Sequence, residues 1–181
     1  MDIDIDFGNR DKILDKIEHT IATLEDKSKH NTGVYVTSIP KDPITNHSTI
    51  NYKEAEKRGY FKIDFLNVSI YNEVESEQHL QTLMAQEPDW KMLESRQFVD
   101  KLFHLSGYSN ITRKLKPKSI PQLAAVLAII RPSKKHLLNE DWATIMKEIW
   151  IKPTDGSYYF KKAHATSYAM AVVVQMNLLT N

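Results

Sequence analysis

Aspartates at positions 2, 4 and 6 alternate with Ile3, Ile5 and Phe7 at the start of the chain. Strict alternation predicts a strand, whose successive side chains point to opposite faces. Asp2, Asp4 and Asp6 then share one face, and the apolar residues share the other. A second stretch, Gly59-Tyr60-Phe61-Lys62-Ile63-Asp64-Phe65-Leu66, repeats the pattern, with Lys62 and Asp64 on one face and Phe61, Ile63 and Phe65 on the other. Carboxylates in a row repel one another unless water or a cation compensates. If the two strands are neighbours with their apolar faces down, the carboxylates and one lysine converge on one open surface. That is the arrangement a pair of hard divalent cations needs. The same residues equally suit an edge strand kept soluble by its acids.

The elements that would position these residues can be read from periodicity and punctuation. Asn9 can cap a helix with Asp11 in its first turn, and Ile13, Leu14, Ile17, Ile21 and Leu24 predict an amphipathic helix lying across the sheet. Val34-Tyr35-Val36 predicts a short strand, and Lys41 to Ser48, with Pro43 and Asn46, a loop. Residues 1–75 thus read as a small mixed sheet with helices on one face. Residues 76–181 read as a mostly helical half packed on it in a single compact unit. Helical spacing runs from Glu77 to Ala85 and from Lys91 to Leu105, broken at Pro88. Pro121 opens an apolar helix that Arg131-Pro132 stops, and further helices are predicted over 142–150 and 166–179. The fold class is α/β.

Composition closes off several function classes. Of 181 residues, 41% are hydrophobic and 26% charged, enough for a packed core and unlike a disordered chain. The net charge of +1 rules out a bulk polycation, so any nucleic-acid contact must come from local basic patches. Such patches stand at 113–118, 131–136 and 161–164, each able to grip phosphate or to form a solvated turn. The absence of cysteine excludes disulfides and thiolate metal sites and fits a reducing compartment. No two of the seven histidines stand at the i, i+4 spacing of a zinc helix, and there is no Gly-x-Ser-x-Gly elbow. No signal peptide is expected, and the longest apolar run, Tyr168 to Val174, is too short to span a bilayer. A cytoplasmic protein without a membrane partner is expected.

Taken together, the motifs resemble the palm and fingers core of bacterial DNA polymerase III α subunits, the C family of DNA polymerases. Asp2, Asp4, Asp6 and Phe7 match that family's Pro-Asp-x-Asp-x-(Asp/Asn)-Phe strand, and Arg10-Asp11 its next helix opening. His30, Gly33, Val34 and Val36 match its His-x-x-Gly-Val-x-(Ile/Val) strand. Gly59, Lys62, Asp64, Phe65 and Leu66 match its Gly-Leu-x-Lys-x-Asp-Phe-Leu-Gly strand. Phe103-His104-Leu105 is a weaker echo of its Phe-Gln-Leu segment. Leu115-Lys116-Pro117 through Leu123, Ala124, Ala128, Arg131 and Pro132 resembles its helix leading to Arg-Pro-Gly-Pro. Phe160, Lys162, His164, Tyr168 and Ala169 match its Phe-x-Lys-x-His-x-x-x-Tyr-Ala segment without a gap.

The motifs occur in family order over nearly the whole chain. The resemblance implies a nucleotidyltransferase-type palm, a fingers-like helical half, and two Mg²⁺ ions, replaceable by Mn²⁺, held by the catalytic Asp2, Asp4 and Asp64. Asp6 is the dispensable acid of that pattern. Lys62, Arg131, Lys162 and His164 would face the triphosphate or the template-primer backbone. The implied partners are primed DNA, dNTP and other polymerase or replisome subunits. The implied activity is DNA-directed nucleotidyl transfer in DNA replication, in a strongly shortened, phage-type form acting in the host cytoplasm.

The departures keep other readings open. The family's phosphoesterase-like domain and its Gly-Ser motif have no counterpart here, and Arg-Pro-Gly-Pro is Arg131-Pro132-Ser133-Lys134. Its Tyr-Gln-Glu-Gln and Arg-Arg-(Ala)-Met-Gly-Lys segments also have no counterpart between Leu138 and Tyr159. A catalytically incomplete accessory protein that binds DNA or a replication partner fits these losses, as does one part of a split polymerase.

Overall fold

A computed structural model describes residues 3–154, 158 and 160–180. The chain divides into two compact units, Met1–Glu73 and Val74–Asn181. The first is a mixed α/β unit and the second is helical, so the α/β class expected from the sequence is present.

The first unit contains β1 (Ile3–Phe7), α1 (Arg10–Leu14), β2 (Thr20–Thr23), β3 (Lys29–Tyr35), β4 (His47–Asn51), α2 (Tyr52–Lys57) and β5 (Ile63–Asn67). The strands form one sheet in the order β1-β5-β3-β2-β4. β1 runs parallel to β5 and β2 to β4, while β3 is antiparallel to both of its neighbours. Ile5, Phe7, Ile63, Phe65 and Val34 pack on one face with Ile13 and Leu14 of α1. The Phe7 and Phe65 rings stack there with centroids 5.3 Å apart. Ala22 and Tyr35, of opposite parity on their strands, pack with Ala55 of α2 and with Ile39. The helices, expected on one face, are therefore divided between the two.

The helix predicted through Leu24 is corrected to a single short helix followed by a strand. Asn9 caps α1 as expected, its side-chain oxygen accepting from the Asp11 and Lys12 amides at 3.1 and 3.3 Å. The helix then stops at Leu14, and Thr20-Ile21-Ala22-Thr23 joins the sheet. The physical reason lies in the spacing. Ile13, Ile17 and Ile21 stand four apart, which satisfies a helix and a strand alike, because four is a multiple of two. Pairing with β3 and β4 decides for the strand, and the β-branched Thr20, Ile21 and Thr23 suit it. The charged stretch after the 41–48 loop forms α2, capped by the Asn51 side chain, which accepts from the Glu54 amide at 3.0 Å.

The second unit contains α3 (Glu77–Ala85), α4 (Arg96–Val99), α5 (Ser109–Leu115), α6 (Ile120–Ile129), α7 (Trp142–Glu148) and α8 (Lys162–Thr180), with 3-10 turns at Trp90–Glu94 and Pro132–Asn139. The continuous helix predicted over 91–105 is corrected to the first of these turns and the one-turn α4. The Ser95 hydroxyl accepts from the Phe98 amide at 3.4 Å and restarts the chain at that point. α6 forms where Pro121 predicted it and is buried continuously from Leu123 to Ile129. It packs against α8, whose Ala165, Ala169, Val172, Val173 and Met176 form a stripe at helical spacing in the same core. Burying Leu123 and Leu127 contributes about 2 kcal/mol each. Among the described residues, no helix is long and apolar enough to cross a membrane.

Candidate active site

β1 and β5 are neighbours, and their register places Asp4 opposite Asp64. In a parallel pair, opposite residues lie about 4.8 Å apart and point to the same face. Their other neighbours in register, Ile3 with Ile63 and Ile5 with Phe65, alternate to the opposite face. Lys62 precedes Asp64 by two residues and shares its face. Both sequence-predicted strands thus bring Asp4, Asp64 and Lys62 together. Asp2 lies outside the described residues. Asp6 stands opposite Leu66 and close enough to Tyr71 that its charge, second to burial, raises the phenol pKa.

The two carboxylates have different surroundings. Asp4 is exposed, whereas Asp64 is buried with 9% of its surface accessible. Lys62 Nζ donates to Asp64 Oδ2, and Thr32 Oγ1 donates to Asp64 Oδ1 at 2.7 Å. These partners satisfy both oxygens of a carboxylate that is largely shut off from water.

Thr32 reaches Asp64 because β3 is irregular at that point. Against β2, Ile21 pairs with Val34 and Thr23 pairs with Lys29. His30, Asn31, Thr32 and Gly33 therefore stand against Ala22 alone. A bulge of this kind turns side chains away from the regular alternation. His30 Nδ1 closes it, accepting from the Gly33 amide at 2.9 Å and from the Thr32 amide at 3.3 Å. A nitrogen that accepts carries no proton, so its 3.8 Å approach to Asp64 Oδ1 is not an ion pair. The His30 pKa is lowered, first by burial and then by the charges of Lys62 and Arg10, with Asp64 opposing.

Arg10 braces the bulge. It is buried, and its Nη1 donates to the Asn31 carbonyl and, at 3.2 Å, to the Phe65 carbonyl. Its own amide donates to the Asn67 side chain at 2.8 Å. One guanidinium so links α1, β3 and β5. Gly33, opposite Asp64 on the β3 side, leaves the space the Lys62 stem uses: a Cβ there would lie 2.7 Å from Lys62 Cδ. Tyr35 is fully buried, and its phenol is pushed up to about 12 by burial, then by Asp64 and Glu56. It stays protonated at neutral pH.

Asp4 and Asp64 present hard oxygen donors, the kind a divalent ion takes, at register positions on one face. Among the described residues, no group of three or more His, Asp or Glu side chains is assembled closely enough to hold one.

The other predicted phosphate contacts lie in the second unit. The Arg131 guanidinium sits over the Phe160 ring, 5.2 Å from its centroid. Phe160 stacks near Tyr168 at 5.4 Å, and Tyr168 contacts the rings of His104 and Phe103 at 4.8 and 5.5 Å. Desolvation, then the Arg131 charge, lowers the His104 pKa. The segments matched around 103, 131, 160 and 168 thus meet in one aromatic cluster. Lys162 is the exposed first residue of α8 and His164 is half-buried two residues on. Residues two apart on a helix do not face each other, so these two do not form one grip.

Sequence reasoning singled out Asp4, Asp64 and Lys62 but assigned no site role to Thr32, His30, Gly33 or Arg10. Gly33 carried a local signal, since glycine inside a strand marks a bulge or a close approach. Compared with known proteins, the chain matches no family model, no curated protein and no solved structure.

Proposed function

We propose that the chain carries a palm-type nucleotidyltransferase site resembling that of the C-family DNA polymerases, acting on primed DNA and dNTP in replication, in the cytoplasm. The observation that carries this reading is the register of Asp4 with Asp64, two carboxylates on one face of adjacent parallel strands with Lys62 beside them. Asp4 and Asp64, with Asp2, would hold the metal. Bound Mg²⁺ or Mn²⁺ would supply Lewis acidity toward the attacking hydroxyl and the departing pyrophosphate. Thr32 fixes the orientation of the Asp64 carboxylate. Lys62 offsets negative charge on the phosphates. Arg131, Lys162 and His164 would contact triphosphate or DNA backbone, Arg131 with its guanidinium already oriented by Phe160.

Both Asp64 oxygens already have protein partners, and this supports a second reading. In it, the chain is a polymerase-derived accessory protein or part of a split polymerase, with the carboxylate retained as structure.

Calorimetric titration of Mg²⁺ or Mn²⁺ into the chain separates the two, with and without dNTP and primed template. The proposed function requires metal binding that tightens with dNTP and disappears in Asp64→Asn. Absence of binding at millimolar metal leaves the accessory reading.

A further inference from the structure

We propose that Lys62 is a resident counter-cation of Asp64, which a divalent ion must displace to bind, and that Gly33 is the gap that lets it reach there. This rests on the metal site proposed above.

The Asp64 side chain is 12% exposed, so its charge needs a partner whether or not metal is present. Its two oxygens are not equivalent. Oδ1 takes a neutral hydroxyl from Thr32, which can remain in place beside a metal. Oδ2 takes the Lys62 ammonium, which cannot share that position with a second cation. The Lys62 side chain is itself only 16% exposed and is therefore held against the sheet. Its stem crosses β3 at Gly33, where a Cβ would stand 2.7 Å from Cδ and 3.1 Å from Cγ. Gly33 is also the register partner of Asp64, so Asp4, Asp64 and Gly33 form one row across three strands.

The ammonium is tethered two residues from its carboxylate, which gives it a high effective concentration there. An entering divalent ion competes with it directly. Once displaced, Lys62 is a free cation beside the metal, placed to meet phosphate oxygens. Lys62 thus opposes metal binding and favours polyphosphate binding, and removing its charge should move the two affinities in opposite directions.

The test is calorimetry of Mn²⁺ alone, then of inorganic triphosphate on the Mn²⁺-loaded protein, for wild type and Lys62→Met. The expected result is Mn²⁺ binding tightened about tenfold in the variant, with weaker triphosphate binding. A melting curve adds a readout independent of activity. Lys62→Met should melt lower in chelator and regain its midpoint with Mn²⁺ by more than wild type does. If Lys62→Met does not fold, Gly33→Ala keeps the charge but pushes the stem aside, and should also tighten Mn²⁺. Binding of Mn²⁺ by wild type with the variants unchanged or weaker overturns the displacement role and leaves the metal site standing. Absence of binding in wild type and variants alike overturns both. Binding in a variant but not in wild type supports the displacement role.

Discussion

Asp4 and Asp64 face each other across the parallel pair β1–β5, one exposed and the other buried between a hydroxyl and an ammonium. Asp64 therefore holds the sheet together as well as facing the site. Asp4→Asn should remove metal binding. Asp64→Asn should remove metal binding and also destabilise the first unit by about 2–3 kcal/mol, because Lys62 loses its partner. Urea unfolding of Asp64→Asn beside metal titration of both variants checks this; wild-type stability in Asp64→Asn would contradict it.

Arg10 should matter more than its surface-type charge suggests. Arg10→Met removes the donors to the Asn31 and Phe65 carbonyls and should cost about 2–3 kcal/mol. The loss should appear locally as faster amide exchange at residues 30–33. Exchange there that stays at the wild-type rate would show that the bulge holds without this brace.

His30 gives the first unit a pH dependence of defined sign. Its folded pKa lies below the ordinary 6.5, because burial, Lys62 and Arg10 outweigh Asp64. Between the lowered value and 6.5, the unfolded chain binds the proton more readily than the native one. Stability from this group is therefore present above pH 6.5 and is lost as pH falls through that window. His30→Gln should flatten the fall in urea midpoint between pH 7 and 5, and an unchanged slope would assign the dependence to other groups.

The second unit has its own buried polar lock. Asn177 of α8 is 1% exposed, and its Nδ2 donates to the Leu83 and Gln86 carbonyls at the end of α3, at 2.8 and 2.9 Å. Asn177→Leu should cost about 2 kcal/mol, since both carbonyls lose a donor while burial continues. Asn177→Asp offers the same shape without the donors and should be at least as damaging. Denaturant midpoints of the two variants test this.

The sequence by itself determined what local chemistry encodes. Alternation placed Asp4, Asp64 and Lys62 on shared faces, because a strand has a period of two whatever it pairs with. Asn9 capped α1 and Pro121 opened α6, because caps and proline geometry act within one turn. Only the tertiary structure decided the rest. The register that sets Asp4 against Asp64 comes from pairing two strands some sixty residues apart. The segment at 20–23 became a strand because β3 and β4 supplied partners, where its spacing alone allowed a helix. The bulge at His30–Gly33, which aims Thr32 at Asp64 and opens a path for Lys62, arises from an unequal count of residues on β2 and β3. That count exists only once the strands are paired. Arg10, Thr32 and Gly33 act through such long-range contacts, so their roles become legible only in the folded chain.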